Sequence, residues 1–391
     1  MSTRMIALDE ARAIVRAALA DRVVGTERVE VDAARGRVLA QALAAPFDVP
    51  GFVHSAMDGY AVRAADLRDD AVRLRCVGAL LAGRAEPSAA IGAQECVRIT
   101  TGAPLPQGAD TVVIRENAAV QGDFVVLAPG PERGANVRGA SDDYGAGELA
   151  VAHAFGLETL VVRNAPRVAI VVTGDELLRP GAERGHGQRY ETNGALLRAL
   201  ASEAGARTVS VEQVGDERAA IAAALARAAR GADLVLTSGG VSAGEADFLP
   251  GLVEELGAIE FWKVRMRPGM PVLFGRVYGT PIFALPGNPV SVFATFLALV
   301  EPALETLLAS PPRRSIVTAR LMHAIDKRHD RLELRRATLR GGEDGVLHAE
   351  LHASTSSGAL RSVVESDGLA ELAAEARRFE AGEVVRVHRF R

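Results

Sequence analysis

Residues 167–177 read RVAIVVTGDEL and residues 233–240 read DLVLTSGG. Each is a short apolar run opening directly into Gly and hydroxyl-bearing residues, with none of the alternation of a half-exposed strand. A strand apolar at successive positions is covered on both faces, as in a parallel sheet between helix layers. Two stretches with apolar residues at helical spacing, 193–204 and 216–230, flank a strand pattern at 208–214. Beyond the second run follow a helix at 246–256, strands at 259–267, 271–276 and 281–285, and a helix from Pro289 to about Leu308. Strands alternating with helices of this length predict βαβ units and a doubly wound parallel sheet. Asn164-Ala165-Pro166 and Ser310-Pro311-Pro312 punctuate its two ends.

The rest of the chain has a different texture. Residues 9–20 predict a helix, with acidic residues first and an apolar pattern after. From about 23 to 162 short Val-rich runs separated by Gly, Pro and Asp predict strands, and residues 315–391 return to that pattern as a small β domain. The predicted fold class is therefore multidomain α/β, divided into 1–165, 166–310 and 311–391. A chain of 391 residues has room for about two to four domains.

Composition narrows the function. Lys plus Arg is 45 against 49 Asp plus Glu, a net charge of −4, which argues against nucleic acid or a membrane surface as main partner. Cys76 and Cys96 are too few for a disulfide framework, and the eight His have no zinc spacing, so a reducing cytoplasm is expected. The longest greasy run, Val290 to Val300, is too short to span a bilayer. Lys occurs only at 263 and 327 in a chain that otherwise uses Arg.

Ligands of open α/β sheets bind beyond the C-terminal strand ends, and three polar clusters fall there. Thr173-Gly174-Asp175-Glu176-Leu177 follows the first strand. Thr237 to Asp247, TSGGVSAGEAD, follows the strand LVL, where small residues let backbone N–H groups approach a phosphate and Asp247 stands before the next helix. In Leu285-Pro286-Gly287-Asn288-Pro289-Val290-Ser291, Asn288 suits an N-cap and Pro289 the first helical position. Gly240-Val241-Ser242-Ala243-Gly244 matches a nucleophile elbow in letters, but Ser238-Gly239-Gly240 separate it from the strand, against the elbow's strand-to-turn geometry. FWKVRMRPGMP at 261–271, taken as a strand, would line Lys263, Arg265 and Arg267 on one face. Such a face meets an anion, or is a solvated edge strand. Asp58 in SAMDGYA, Thr101 in TTGAP and Asp143 in SDDY read locally as turn residues.

Taken in order, SAMDGYA (55–61), TGAP (101–104), TGDEL (173–177), TNG (192–194), TSGGVSAGEAD (237–247), FWKVRMRPGMP (261–271) and LPGNPVS (285–291) closely resemble the MoeA/gephyrin E-domain family of molybdenum insertases, across essentially the whole chain. The resemblance implies an N-terminal linker domain with an inserted β-rich domain, a molybdopterin-binding α/β domain, a C-terminal β barrel, and an elongated homodimer. It implies conversion of adenylylated molybdopterin and molybdate to molybdenum cofactor with release of AMP, assisted by Mg²⁺. Carried over by position, it makes Asp58, Thr101, Glu176, Asp247, Lys263 and Arg267 catalytic. Thr173, Gly174, Asp216, Ser238, Gly239, Gly240, Ser242, Pro286, Gly287, Asn288 and Ser357 would bind the pterin substrate, and Glu176, Asp247 and Asp143 would hold the metal. Arg331 and Ser357 are looser matches in the tail. Molybdopterin adenylyltransferase and molybdoenzymes are the implied protein partners. The family usually has Lys at the positions of Arg267 and Met270 and a small residue at Arg265, so the cation of Met270 is expected to have moved to Arg265. The alternatives are a molybdopterin adenylyltransferase, which the α/β part alone resembles, and a non-catalytic cofactor-binding scaffold.

Overall fold

Val168, Ile170 and Val172 enter one apolar layer and Ala169 and Val171 the opposite one, all fully buried. This double burial is what an unalternating apolar strand requires, and it sets the architecture of the computed structural model. The structure describes residues 4–43, 47–48, 50–83, 90–139, 152–153, 155–241, 247–343 and 345–391. The chain falls into two units, Met1–Glu27, Gly36–Ala40 and Val161–Arg391 in one, Arg28–Arg35 and Gln41–Leu160 in the other.

In the larger unit the elements are α1 (Leu8–Leu19), β1 (Arg167–Thr173), α2 (Asn193–Glu203), β2 (Arg207–Val214), α3 (Arg218–Gly231), β3 (Leu234–Ser238), α4 (Leu249–Leu256), β4 (Gly257–Trp262), β5 (Leu273–Val277) and β6 (Thr280–Leu285), followed by α5 (Pro289–Leu308). The six strands lie in the order β2-β1-β3-β6-β5-β4. Only β5 runs against the others. Helices α1, α2 and α5 cover one face and α3 and α4 the other, so the sheet is doubly wound. Because β2 and β3 flank β1 on opposite sides, the chain reverses direction across the sheet at β1/β3, and a crevice opens at their C-terminal ends.

Helix α5 is long and apolar enough to cross a membrane, but 83% of its most apolar window is buried in the protein, so it is a core helix. Its middle, Phe296–Val300, is a π turn. Helix α1 buries Leu8, Ala11, Val15 and Leu19 in the core it shares with β1 and α5.

The strand predicted at 259–267 ends at Trp262, because Lys263 adopts a left-handed backbone (φ 75°). The chain then pairs with Ile6 and joins a second sheet, Met266–Arg267 running parallel to Leu332–Glu333. Burial still alternates through 263–267, so the sequence pattern survives the break and conceals it.

That second sheet closes on itself. Leu332–Gly341, Leu347–Leu351, Ile316–Leu321, Val384–Arg389 and Gly368–Leu372 pair in that order, and the last returns to the first. Ala319, Ala337, Ala349 and Ala370 help fill the narrow barrel. Lys327 is 3% exposed, its ammonium donating to the carbonyls of Arg331 (3.0 Å), Ala374 (3.1 Å) and Ala373. It is the more deeply buried of the two lysines.

The smaller unit is built on a six-stranded sheet ordered Thr111–Ile114, Gly59–Val62, Glu95–Ile99, Val72–Leu80, Phe124–Leu127, Ala118–Gln121. An apolar layer lies on each of its faces. Gly59 is required there, since a Cβ would fall 2.0 Å from the Val113 carbonyl oxygen.

Candidate active site

The three strand-end clusters converge. Thr173, Gly174, Glu176, Asp216, Ser238, Gly239, Gly240, Asp247, Pro286, Gly287 and Asn288 all line one cleft of about 380 Å³. It lies at the β1/β3 crevice, where the strand order reverses. Gly239 (φ 99°) lets the second loop cross the end of β1, for a Cβ would stand 2.6 Å from the Thr173 carbonyl oxygen and 2.7 Å from its hydroxyl. Gly240 is also left-handed (φ 62°) but has more room, 3.4 Å to the nearest atom.

Asn193, the first residue of α2, ties the loops together. It is 7% exposed, and its Nδ2 donates to Ser238 Oγ (2.9 Å) and to the Gly287 carbonyl (2.8 Å). Ser238 in turn donates to the Pro286 carbonyl (3.1 Å). Asn193 lies in the TNG segment, but its clamp spans 45 and 94 residues of sequence, and no local signal carries that.

Asn288 occupies the N-cap position of α5 with Pro289 next, but makes no side-chain cap. Its Nδ2 donates instead to Ser357 Oγ at 3.0 Å, and the Ser357 carbonyl accepts from Val290 N–H. The Ser357 loop thus takes the place of a cap at the start of α5, where Pro289 has no N–H and the Val290 N–H is already engaged.

The cleft is acidic. Glu176, Glu191, Asp216 and Asp247 line it, and Arg189 is the one cation among its described lining residues. Asp175 and Asp216 exchange hydrogen bonds, Asp216 N–H to Asp175 Oδ1 at 3.0 Å and the return bond at 3.4 Å. Burial first, then the charges of Asp175 and Glu176, hold the Asp216 carboxyl above the usual range, against the bond from the Asp175 amide. An anionic ligand meets repulsion here unless a cation accompanies it. Among the described residues no three His, Cys, Asp or Glu side chains converge as a metal cage. Mg²⁺ commonly binds through one or two carboxylates plus substrate phosphates, a donor set that Glu176 and Asp247 fit.

The cationic segment lies apart from this lining. Neither Lys263 nor Arg267 is among the lining residues, which include only Pro271 from that stretch. Lys263 Nζ sits 4.6 Å from the centroid of the Trp262 ring. Arg265 is paired with Asp330 at 3.2 Å, so the cation expected to be free on a strand face is engaged. The cation at Met270 is Arg331, whose Nη1 lies 3.4 Å from the Met270 sulfur. Arg336, 2% exposed, went unnoticed in the sequence. Among the described residues it donates to neutral acceptors, Ser362 Oγ (3.0 Å), the Ser356 carbonyl (3.3 Å) and the Ser354 carbonyl. Burial lowers its pKa, and Glu333 offsets its charge only through space, without a direct ion pair among the described residues; it stands beneath the loop carrying Ser357.

In the smaller unit Asp58 Oδ1 accepts from the backbone N–H and the hydroxyl of Thr101, both at 2.8 Å. These bonds, with Arg115 and Arg98 nearby, hold the carboxyl below its ordinary range. Asp143 and Ser242 lie outside the described residues.

Comparisons with known proteins define the class. Residues 169–306 match the model of a probable molybdopterin binding domain, 6–158 that of the MoeA N-terminal region (domain I and II), and 318–390 that of the MoeA C-terminal region (domain IV). The chain is 31% identical to the molybdopterin molybdenumtransferase of Haemophilus influenzae, over 99% of both chains. It is 38% identical to molybdopterin molybdenumtransferase 2 of Mycobacterium tuberculosis, over 80% of this chain and 82% of that one. A solved molybdopterin biosynthesis MoeA protein of Pyrococcus horikoshii superposes with a TM-score of 0.82 at 26% identity, covering 99% of this chain and 100% of that one. The class is thus an α/β domain of molybdopterin-binding type set between two β-rich regions. The chain belongs to the MoeA family of molybdopterin molybdenumtransferases.

Proposed function

We propose that the chain is a molybdenum insertase, converting adenylylated molybdopterin and molybdate to molybdenum cofactor with release of AMP. The observation that carries the reading is the meeting, in one cleft, of anion-accepting backbone with carboxylates. The left-handed Gly239–Gly240 turn, free of side chains, lets phosphate oxygens approach the backbone beyond Gly239, whose own N–H bonds the Leu285 carbonyl, while Glu176, Asp216 and Asp247 share the lining. Mg²⁺, when bound with the substrate phosphates, would neutralise their charge and polarise the phosphoanhydride.

The chain's own residues account for the rest. Asn193 and Ser238 hold the loops against each other, so the amides are placed before substrate arrives. Asp247, in the lining, is assigned to orient the water that cleaves the anhydride, or to hold the cation; Glu176 shares the second role. Lys263, Arg267 and Arg336 supply positive charge for molybdate, and among the described residues Arg336 is held by neutral oxygen acceptors. Asp58 and Thr101 belong to the same proposal as residues completing the site across a homodimer. Molybdopterin adenylyltransferase upstream and molybdoenzymes downstream, in the cytoplasm, are its proposed partners.

The test incubates the purified chain with adenylylated molybdopterin and Mg²⁺, with and without molybdate, and follows AMP. Molybdate-dependent AMP release supports the insertase. AMP-linked product formed from ATP and molybdopterin would favour the adenylyltransferase, and tight binding without AMP release the scaffold.

A further inference from the structure

Cys76 and Cys96 are the only cysteines of the chain, and the smaller unit places them opposite each other. The strands Val72–Leu80 and Glu95–Ile99 are parallel neighbours, and Cys76 pairs with Cys96 in their register. Register partners in a sheet carry their side chains on the same face. Both thiols accordingly meet one apolar layer, Cys96 inside it with Leu74, Val113 and Leu127, Cys76 at its margin. Cys96 is fully buried and Cys76 half-buried. The ladder is irregular immediately beyond this pair, between Cys76 and Ala79, and the Cys76 thiol points back to the Gly78 carbonyl at 3.5 Å.

We infer that Cys76 and Cys96 form a reversible thiol-oxidation site, in which a peroxide converts the cross-strand pair to an intramolecular disulfide. Neighbouring strands lie about 4.8 Å apart, within the Cα separation that a disulfide tolerates, so the bond asks for side-chain rotation rather than strand movement. The order of events follows from access. The half-buried Cys76 sulfur attacks the peroxide oxygen, breaking the O–O bond, and becomes a sulfenic acid with loss of one water. The Cys96 sulfur then attacks the Cys76 sulfur, forming the S–S bond and expelling a second water. Two thiols and one hydrogen peroxide thus give one disulfide and two waters. Burial, and Cys76 beside it, push the Cys96 thiol up to about 12, which makes it a poor first attacker. In a reducing compartment such a pair is open except under oxidant. The staple would sit on the strand that runs from Glu95 to Ile99 and on into Thr101, whose amide and hydroxyl hold Asp58.

The experiment treats the full chain with stoichiometric hydrogen peroxide at neutral pH, then quantifies free thiols and analyses intact mass and peptides without reductant. The expected result is loss of both thiols, a mass lower by two hydrogen atoms, a peptide linked between Cys76 and Cys96, and full recovery with dithiothreitol. In Cys96→Ser the expected product is a dimedone-trappable sulfenic acid at Cys76; in Cys76→Ser, peroxide leaves Cys96 as free thiol. Oxidation of Cys76 to sulfinic acid with Cys96 still free in the wild type, or linkage only between two chains, would overturn the inference. Because both variants are read by chemistry on the wild-type background, a folding failure in one leaves the other and the wild-type peptide map decisive.

Discussion

Asn193 and Ser238 share one hydrogen bond, 2.9 Å from Nδ2 to Oγ, in the floor of the cleft, and through it the start of α2 is fastened to the end of β3. The Gly287 carbonyl can only accept, which fixes the amide orientation, and the Ser238 hydroxyl donates to the Pro286 carbonyl. Removing either side chain strands buried partners, and each such loss costs about 1–3 kcal/mol. Asn193→Ala and Ser238→Ala are expected to be destabilising and coupled by about 0.5–3 kcal/mol in a double-mutant cycle of urea unfolding. Additive losses would show that the two do not act as one clamp.

The two glycines of the second loop should respond differently. Both sit at a left-handed φ, 99° and 62°, but Gly239→Ala also drives a Cβ to 2.6 Å from the Thr173 carbonyl oxygen, whereas at Gly240 the nearest atom stands at 3.4 Å. Strain at a special backbone position costs roughly 1–3 kcal/mol. Thermal unfolding should therefore place Gly239→Ala clearly below Gly240→Ala, and ligand affinity should fall in the same order. Equal melting points would sink the argument that the Thr173 contact decides this turn.

Asp216 offers a check on the acidic half of the cleft. Its carboxyl stays protonated to higher pH than usual, first because it is buried and second because of Asp175 and Glu176. Glu176→Gln removes one like charge and leaves the burial, so the Asp216 titration seen by carboxyl NMR should move down yet remain above 3.8. The sign for stability follows. A raised folded value means that Asp216 stabilises the fold at pH below its unfolded pKa, and that this contribution is lost as pH rises through the folded one. No movement in the variant would mean that Glu176 does not face Asp216.

Much of this was legible and some was not. RVAIVV and LVL announced doubly covered strands, and Gly, Thr, Asn and Asp at their ends announced where a ligand would sit, because sheet topology brings strand ends together. Three things escaped for physical reasons. Burial alternation continued across Lys263 although its backbone turns left-handed, so one strand was read where the chain changes sheets. Arg335 and Arg336 sit side by side in RLELRRA and look alike, yet Arg335 pairs with Glu333 while Arg336 is sealed inside. Asn288 had the letters of a cap, but Ser357, far along the chain, claims its side chain.

The underside of the fold carries a buried ion pair whose pH response is defined. Arg314 Nε meets both oxygens of Glu301, at 2.8 and 3.0 Å, with the carboxylate side chain 6% exposed. Burial, the largest influence, raises the Glu301 pKa even against Arg314. Arg314→Met leaves that carboxylate alone and is expected to cost about 3–5 kcal/mol at neutral pH. Since a raised carboxyl stabilises in its protonated form, the deficit should shrink as pH falls toward the range where Glu301 takes up a proton. A deficit independent of pH would mean that packing by the Arg314 stem, not its charge, was lost.

Whether the β1/β3 cleft performs the chemistry is decided by AMP release in Asp247→Ala. The variant is compared with wild type in adenylylated molybdopterin, molybdate and Mg²⁺, with substrate binding measured alongside. A loss of about 100-fold or more in AMP release is expected, with the substrate still bound. Unchanged AMP release in a folded Asp247→Ala protein would contradict it and move the chemistry out of this cleft.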